Sequence, residues 1–273
     1  MYTYQGKTAL ITGASSGIGA AFARILAAKG MHVILLARSE DKLRELADEI
    51  VGQFGVRAEV IAIDLGCEGA VQDVYEEVQR RGLNVDLLIN NAGFATHGHF
   101  ETLDTARDHV EIMLNVTALV DLTHVFIPGM LSSNEGAIIN VASTAAFQPL
   151  PYMAVYGATK AFVVSFSVAL TQEYRKRGIR VIALCPGATA TNFFNVVGTE
   201  DAAVGRKRTP QQVVTTALRA LECGQSIAVD GRMNALLAVL ARLVPMSFSA
   251  QMAALTMRPG RSGTRKERSR AAI

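Results

Sequence analysis

Residues 8–30 read TALITGASSGIGAAFARILAAKG. A short β-rich apolar run enters a loop with glycines at Gly13, Gly17 and Gly19, and an apolar helical pattern follows. The spacing is G-x-x-x-G-x-G rather than G-x-G-x-x-G, but the physics is related. Glycine allows a tight strand-to-helix turn, and its missing side chain lets backbone approach a pyrophosphate. The helix N-terminus then offers free N–H groups and a positive dipole end to the anion. A plain tight turn would use the same glycines. The place of the loop between the first strand and the first helix favours phosphate binding, with Gly13, Ser15, Ser16, Gly17, Ile18 and Gly19 as the candidate residues.

Outward from this loop, short apolar runs alternate with longer amphipathic ones. TALITG (8–13), HVILLA (32–37), AEVIAID (58–64), DLLINN (86–91), GAIINVAS (136–143) and IRVIALCPG (179–187) lack strict polar alternation, as expected of strands covered on both faces. Helical patterns lie between them at 18–30, 40–53, 68–81, 102–131 and 154–177. This alternation predicts an α/β fold: a single Rossmann-type, doubly wound parallel sheet with helices on both faces. The expected strand order is 3-2-1-4-5-6, extended by a seventh strand at SIAVD (226–230). The expected organisation is one dinucleotide-binding and catalytic domain over 1–230, a helical extension over 231–257, and a basic, disordered tail over 258–273.

The end of the second strand faces the adenosine ribose in such a fold. An acid there would accept from the 2′-hydroxyl, whereas an arginine would suit a 2′-phosphate. The sequence has Ala37 followed by Arg38 and Ser39, which favours NADP(H) over NAD(H); the alternative is an ordinary solvated arginine.

VYGATKAF (155–162) places Tyr156 and Lys160 four positions apart, so a helix would stack them on one face. Free tyrosine titrates near 10 and is only about 0.1% phenolate at pH 7. Lowering that value by about 3 units takes roughly 4 kcal/mol. One cation at ~4 Å supplies a similar amount at an effective dielectric near 20. The pair could therefore make a phenol exchange protons near neutral pH; alone, it could also be a surface contact.

With TGASSGIG, NNAG (90–93), Ser143, Tyr156-x-x-x-Lys160 and Pro186-Gly187 in this order, the sequence resembles the short-chain dehydrogenase/reductase superfamily over about residues 6–230. The resemblance implies that Tyr156 protonates a carbonyl oxygen, Lys160 lowers the tyrosine pKa and holds the nicotinamide ribose, Ser143 orients the substrate oxygen, and Asn115 supports a water-mediated proton relay. It implies adenine contacts from Asp64 and Leu65 and a cofactor-flanking segment at Asn91, Ala92 and Gly93. Pro186, Gly187, Thr189 and Thr191 would grip the carboxamide; Thr189 stands where a branched aliphatic is more usual. The implied activity is NADP(H)-dependent interconversion of an alcohol and a ketone or aldehyde. The alternative is a non-catalytic NADP(H)-binding sensor or scaffold on the same fold.

The candidate substrate walls Phe94, Ala95, Thr144, Ala145, Leu150, Met153, Phe193 and Phe194 are mostly apolar, which favours a hydrophobic carbonyl compound. The net charge of +3 comes from the tail, where six basic residues face one acid; the rest of the chain is slightly acidic. Nothing in it recommends a nucleic-acid binder. Three cysteines without CxxC or CxxH spacing argue against a disulfide framework or a zinc site, and THGH (96–99) lacks a third ligand. A reducing, cytoplasmic setting fits, as does the absence of a signal-peptide pattern. Residues 232–257 are expected to pack on the body or on a second subunit of a homodimer or homotetramer. A weak membrane-surface contact through the C-terminus is the other possibility.

Overall fold

A computed structural model describes residues 2–193, 197 and 207–259. Phe194, most of the loop expected at 188–209 and the expected disorder of 260–273 lie outside the described residues. Seven parallel strands form one sheet in the order β3-β2-β1-β4-β5-β6-β7. They are β1 (Thr8–Thr12), β2 (His32–Ala37), β3 (Ala58–Ala62), β4 (Leu87–Asn90), β5 (Gly136–Val141), β6 (Ile179–Cys185) and β7 (Ile227–Val229). The order expected from sequence holds, and β7 extends the sheet beyond β6.

Successive strand residues feed opposite layers, which is why the strands are apolar throughout. Ala9 and Ile11 pack with α1 (Gly17–Ala28), α2 (Glu40–Phe54) and α7 (Pro210–Glu222), whereas Leu10 packs with α3 (Ala70–Arg80) and α5 (Ala118–Ser132). Helix α6 (Ala154–Tyr174) covers the second face beside α5 through Val163 and Val164. Buried amides link the layers there. Asn90 Nδ2 donates to Asn140 Oδ1 at 2.9 Å across β4 and β5, and Asn140 Nδ2 donates to Ser167 Oγ at 2.9 Å on α6. Helix α7 starts with a reciprocal cap between Thr209 and Gln212, with Pro210 at its first position.

Two departures from the sequence reading matter for the site. The helix expected over 102–131 is two helices, α4 (Thr105–Ile112) and α5, joined by a π turn at Met113–Thr117 that contains Asn115. Such turns insert a residue and re-aim its side chain. The extension is a helix pair, α8 (Arg232–Leu243) and α9 (Met246–Met257), broken at Val244–Pro245 because proline disfavours a helical residue before it.

Candidate active site

The segments singled out in the sequence follow the carboxyl ends of six strands: 13–19 after β1, 38–39 after β2, 64–65 after β3, 91–93 after β4, Ser143 after β5 and 186–191 after β6. They meet in one cavity of about 1400 Å³. That exceeds the ~300–1,000 Å³ usual for a single small ligand and leaves room for a dinucleotide and a substrate. Of the described candidates, Gly19, Asn115 and the expected substrate-wall residue Ala95 do not line it. Gly19 and Asn115 lie behind the wall and shape it.

The glycine loop has a steric reason at each glycine. Gly13 and Gly17 have φ of +65° and +57°, a region L side chains rarely adopt. A Cβ on Gly19 would run into the carbonyl oxygen of Gly13 and sit 2.8 Å from Asn91 Nδ2. Asn91 in turn donates to Thr12 O at 2.8 Å. Thr12 Oγ1 takes the backbone N–H groups of Asn91 and Ala92 at 2.9 and 2.8 Å. The ends of β1 and β4 are thus tied together, and the first turn of α1, which has no side-chain cap, faces the cavity. A cradle this bare, with uncapped N–H groups, fits a pyrophosphate.

Tyr156 and Lys160 share the buried face of α6, with the ammonium 5.7 Å from the ring centroid. Lys160 Nζ donates to Val141 O at 2.8 Å. Burial pulls the lysine down to about 8, against the nearby charge of Glu111. Burial also pushes the Tyr156 phenol up to about 12, opposed by a hydrogen bond with the Ser143 hydroxyl and reinforced by Glu111. This corrects the expectation that Lys160 lowers the phenol in the free chain. The ammonium's hydrogen bond goes to a backbone carbonyl, and desolvation dominates both groups.

Asn115 links these parts. Its Nδ2 donates to Phe94 O at 3.0 Å and to Thr159 Oγ1 at 3.2 Å, and its Oδ1 accepts from Phe94 N at 3.2 Å. The π turn supplies the inward aim that this amide needs. Ser143 Oγ accepts from Ala145 N at 3.1 Å, which fixes the hydroxyl at the mouth of the turn after β5. Thr189 bridges to Arg208 and donates to Gly187 O at 3.0 Å. A Cβ on Gly187 would strike Asn234 Nδ2, so α8 seats directly on this segment. Arg38 is 77% exposed and lies 3.6 Å from Asp64 Oδ2, a surface pair of small worth.

Three other groups near the site have ordinary surroundings. His97 Nε2 donates to Met257 O at 2.9 Å, and since a carbonyl can only accept, Nε2 carries the hydrogen. His99 packs edge-on against Tyr152. Cys185 is buried, which pushes its thiol up to about 12. Sequence reasoning missed Thr12, Thr96, Glu111 and Asn234. For Glu111 a signal existed: a carboxylate one helical turn before Asn115 in an apolar stretch.

A dinucleotide cradle at the carboxyl edge of a doubly wound sheet, beside a serine, a tyrosine and a lysine, defines a class of nicotinamide-dependent oxidoreductases. The short chain dehydrogenase family profile matches residues 7–202. The chain is 32% identical over 237 residues to the very-long-chain 3-oxoacyl-CoA reductase of Bos taurus, covering 85% of this chain and 72% of that one. It spans 62% of the human form of that reductase. Among solved structures, a short-chain dehydrogenase from Sphingobium yanoikuyae in complex with NADPH aligns with a TM-score of 0.78 and 33% identity, covering 87% of this chain and 94% of that one. A bulky-bulky ketone specific alcohol dehydrogenase from Comamonas testosteroni aligns with a TM-score of 0.74 and 30% identity, covering 87% and 93%. This chain belongs to the short-chain dehydrogenase family. It is an NAD(P)-dependent oxidoreductase that interconverts CH–OH and C=O groups.

Proposed function

We propose that the chain reduces a hydrophobic ketone or aldehyde with NADPH, Tyr156 giving the proton and Ser143 holding the carbonyl oxygen. The observation that carries this is the convergence of Tyr156, Ser143 and Lys160 on the cavity that the glycine loop lines. NADPH, when bound, supplies the hydride. The residues that would hold it are those of the glycine loop, Arg38 and Ser39, Asp64 and Leu65, Asn91 to Gly93, Lys160, and Pro186 to Thr191. At pH 7 a phenol titrating near 12 is almost wholly protonated, which suits donation to a carbonyl.

Arg38 decides the cofactor choice in this reading. No carboxylate stands at Ala37, and the loose pair with Asp64 leaves the guanidinium able to meet a 2′-phosphate. A charge-assisted hydrogen bond is worth about 1.5–3 kcal/mol. Arg38→Ala is therefore expected to lower the NADPH-over-NADH preference in kcat/KM by roughly 10–100-fold. An unchanged ratio would refute the assignment.

The apolar side of the cavity supports a hydrophobic substrate. Leu150, Met153 and Tyr156 pack with Ala253 and Met257 of α9, and Phe193 leans on the same cluster. The names of the bovine and Comamonas relatives, which carry a very long acyl chain and bulky ketones, point the same way. The outer side of the α8–α9 pair is also apolar: Leu236, Leu243, Met246, Phe248 and Leu255 are each more than half exposed. Residues 231–259 contain no Asp or Glu, and the basic tail follows. A weak contact with an anionic bilayer fits this pattern. The full chain should then sediment with anionic vesicles more than a truncation after Met257. Equal partitioning would remove the idea, and a concentration-dependent dimer would assign the face to a second copy.

A further inference from the structure

Glu111 lies at the end of α4, one turn before Asn115, and is fully buried. Its Oε2 accepts from Thr96 N at 2.8 Å and lies 3.0 Å from Thr96 Oγ1, while its Oε1 has no hydrogen-bond partner. A buried polar atom without a partner is rare enough to need a reason.

Three observations supply one. Asn115 holds the backbone of Phe94 on both sides, and Glu111 holds that of Thr96. Four helical residues rise about 6 Å and two extended residues span about 6.6 Å, so side chains one turn apart match backbone groups two residues apart. Next, a Cβ on Gly93 would sit 2.7 Å from Asn115 Oδ1 and 3.5 Å from Lys160 Nζ. The stretch 93–96 therefore leads from the Lys160 ammonium to the Glu111 carboxyl. Last, the proton count is short. Thr96 Oγ1 lies 2.8 Å from Asp108 Oδ1 and 3.0 Å from Glu111 Oε2, yet a hydroxyl has one hydrogen. A hydrogen on one of the carboxyls satisfies the second contact.

We propose that Glu111 is a positioning and proton-storing residue of this site: it clamps Thr96 and returns a proton toward Lys160 and Tyr156. This deepens the reductase reading and rests on it. As the carbonyl carbon takes the hydride, the Tyr156 O–H bond breaks and its proton goes to the carbonyl oxygen, leaving a phenolate. The Lys160 ammonium returns a proton to that phenolate. The Glu111 O–H bond then breaks to reprotonate the Lys160 amine through intervening water, and the carboxylate takes its next proton from solvent.

The titratable groups facing Glu111 are Asp108 on its own helix and Lys160 and Tyr156 on α6. Burial first raises its carboxyl to about 7; the Thr96 hydrogen bonds oppose this, Asp108 adds to it, and Lys160 opposes it. With Lys160 near 8, a proton moving from Glu111 to the amine gains about a tenfold ratio.

The test is Glu111→Gln, isosteric with the protonated acid, measured in two ways. In the wild type, kcat for carbonyl reduction should fall as pH rises through about 7. The variant should start at least about tenfold lower, lose that limb and keep its KM. Independently of turnover, a carboxyl raised in the folded state stabilises the fold below its unfolded value and loses that contribution as pH rises through about 7. The wild-type denaturation midpoint should then drop between about pH 5 and 8, and the variant's should not. If the midpoints titrate but the two rate profiles coincide, the proton-storing role is overturned. If the midpoints run parallel, so is the protonated acid. A wild type that turns over no member of a broad carbonyl panel sinks the reductase reading itself, and the proposal with it.

Discussion

Tyr156→Phe should lower kcat for carbonyl reduction by about 10²–10⁴-fold while leaving NADPH affinity within a few fold of wild type. The substitution removes one oxygen and keeps the ring, so the packing of residue 156 against Phe193, with centroids 5.7 Å apart, persists. It also removes a group that burial holds near 12. Two consequences follow for the direction of reaction. Reduction needs the protonated phenol, which is present at every pH up to about 11, so this group should put no alkaline fall on the reduction profile below that pH. Oxidation of the alcohol needs the phenolate, which the free chain populates at only about one part in 10⁵ at pH 7. The positive charge of an oxidised nicotinamide would favour that anion. The oxidation rate should therefore climb with pH over a range in which this group leaves reduction unchanged. Cofactor fluorescence titration and stopped-flow absorbance at several pH values separate these effects. A Tyr156→Phe variant that retains wild-type kcat would end the assignment of the phenol as proton donor.

The sheet was legible because each strand carries its own signal. A doubly covered strand must be apolar on both sides, so TALIT, HVILLA and GAIINV stand out as runs, and the loop glycines mark where the first run turns. Tyr156 and Lys160 were legible for another reason: both sit on one helix, so their spacing in sequence is their spacing in space. Relations between distant segments were not. The π turn at Asn115 exists because that amide meets the backbone of Phe94, and nothing in EIMLNVTA states where Phe94 will lie. The clamp of Glu111 on Thr96 is of the same kind. The electrostatic expectation failed for a related reason. Charge attraction was set against a reference in water, but desolvation depends on how completely the fold covers both groups, and that is a property of α6 packed on the sheet rather than of YxxxK.

Gly19→Ala should be damaging far out of proportion to its size. Alanine is the better helix former by about 1 kcal/mol, so propensity alone predicts stabilisation in α1. Sterics reverse the sign. The new methyl would meet the Gly13 carbonyl oxygen, which belongs to backbone already fixed by the positive φ of Gly13 and by the Asn91 bridge to Thr12. Neither neighbour is the loose end of a flexible side chain, so the loop itself must move. Overpacking of this kind costs about 1–3 kcal/mol, and the displaced N–H groups would no longer converge on a pyrophosphate. NADPH affinity is expected to fall by about 10²-fold or more, with a lowered thermal midpoint. Gly52→Ala in α2 is the matched control, because nothing lies within 4 Å of its new methyl. It should gain about 0.5–1 kcal/mol and leave cofactor binding alone. If both variants bind NADPH as the wild type does, the close approach of the loop to the phosphates is wrong. If both lose stability equally, the cost lies in helix α1 and α2 packing generally and not in the contact between Gly13 and residue 19.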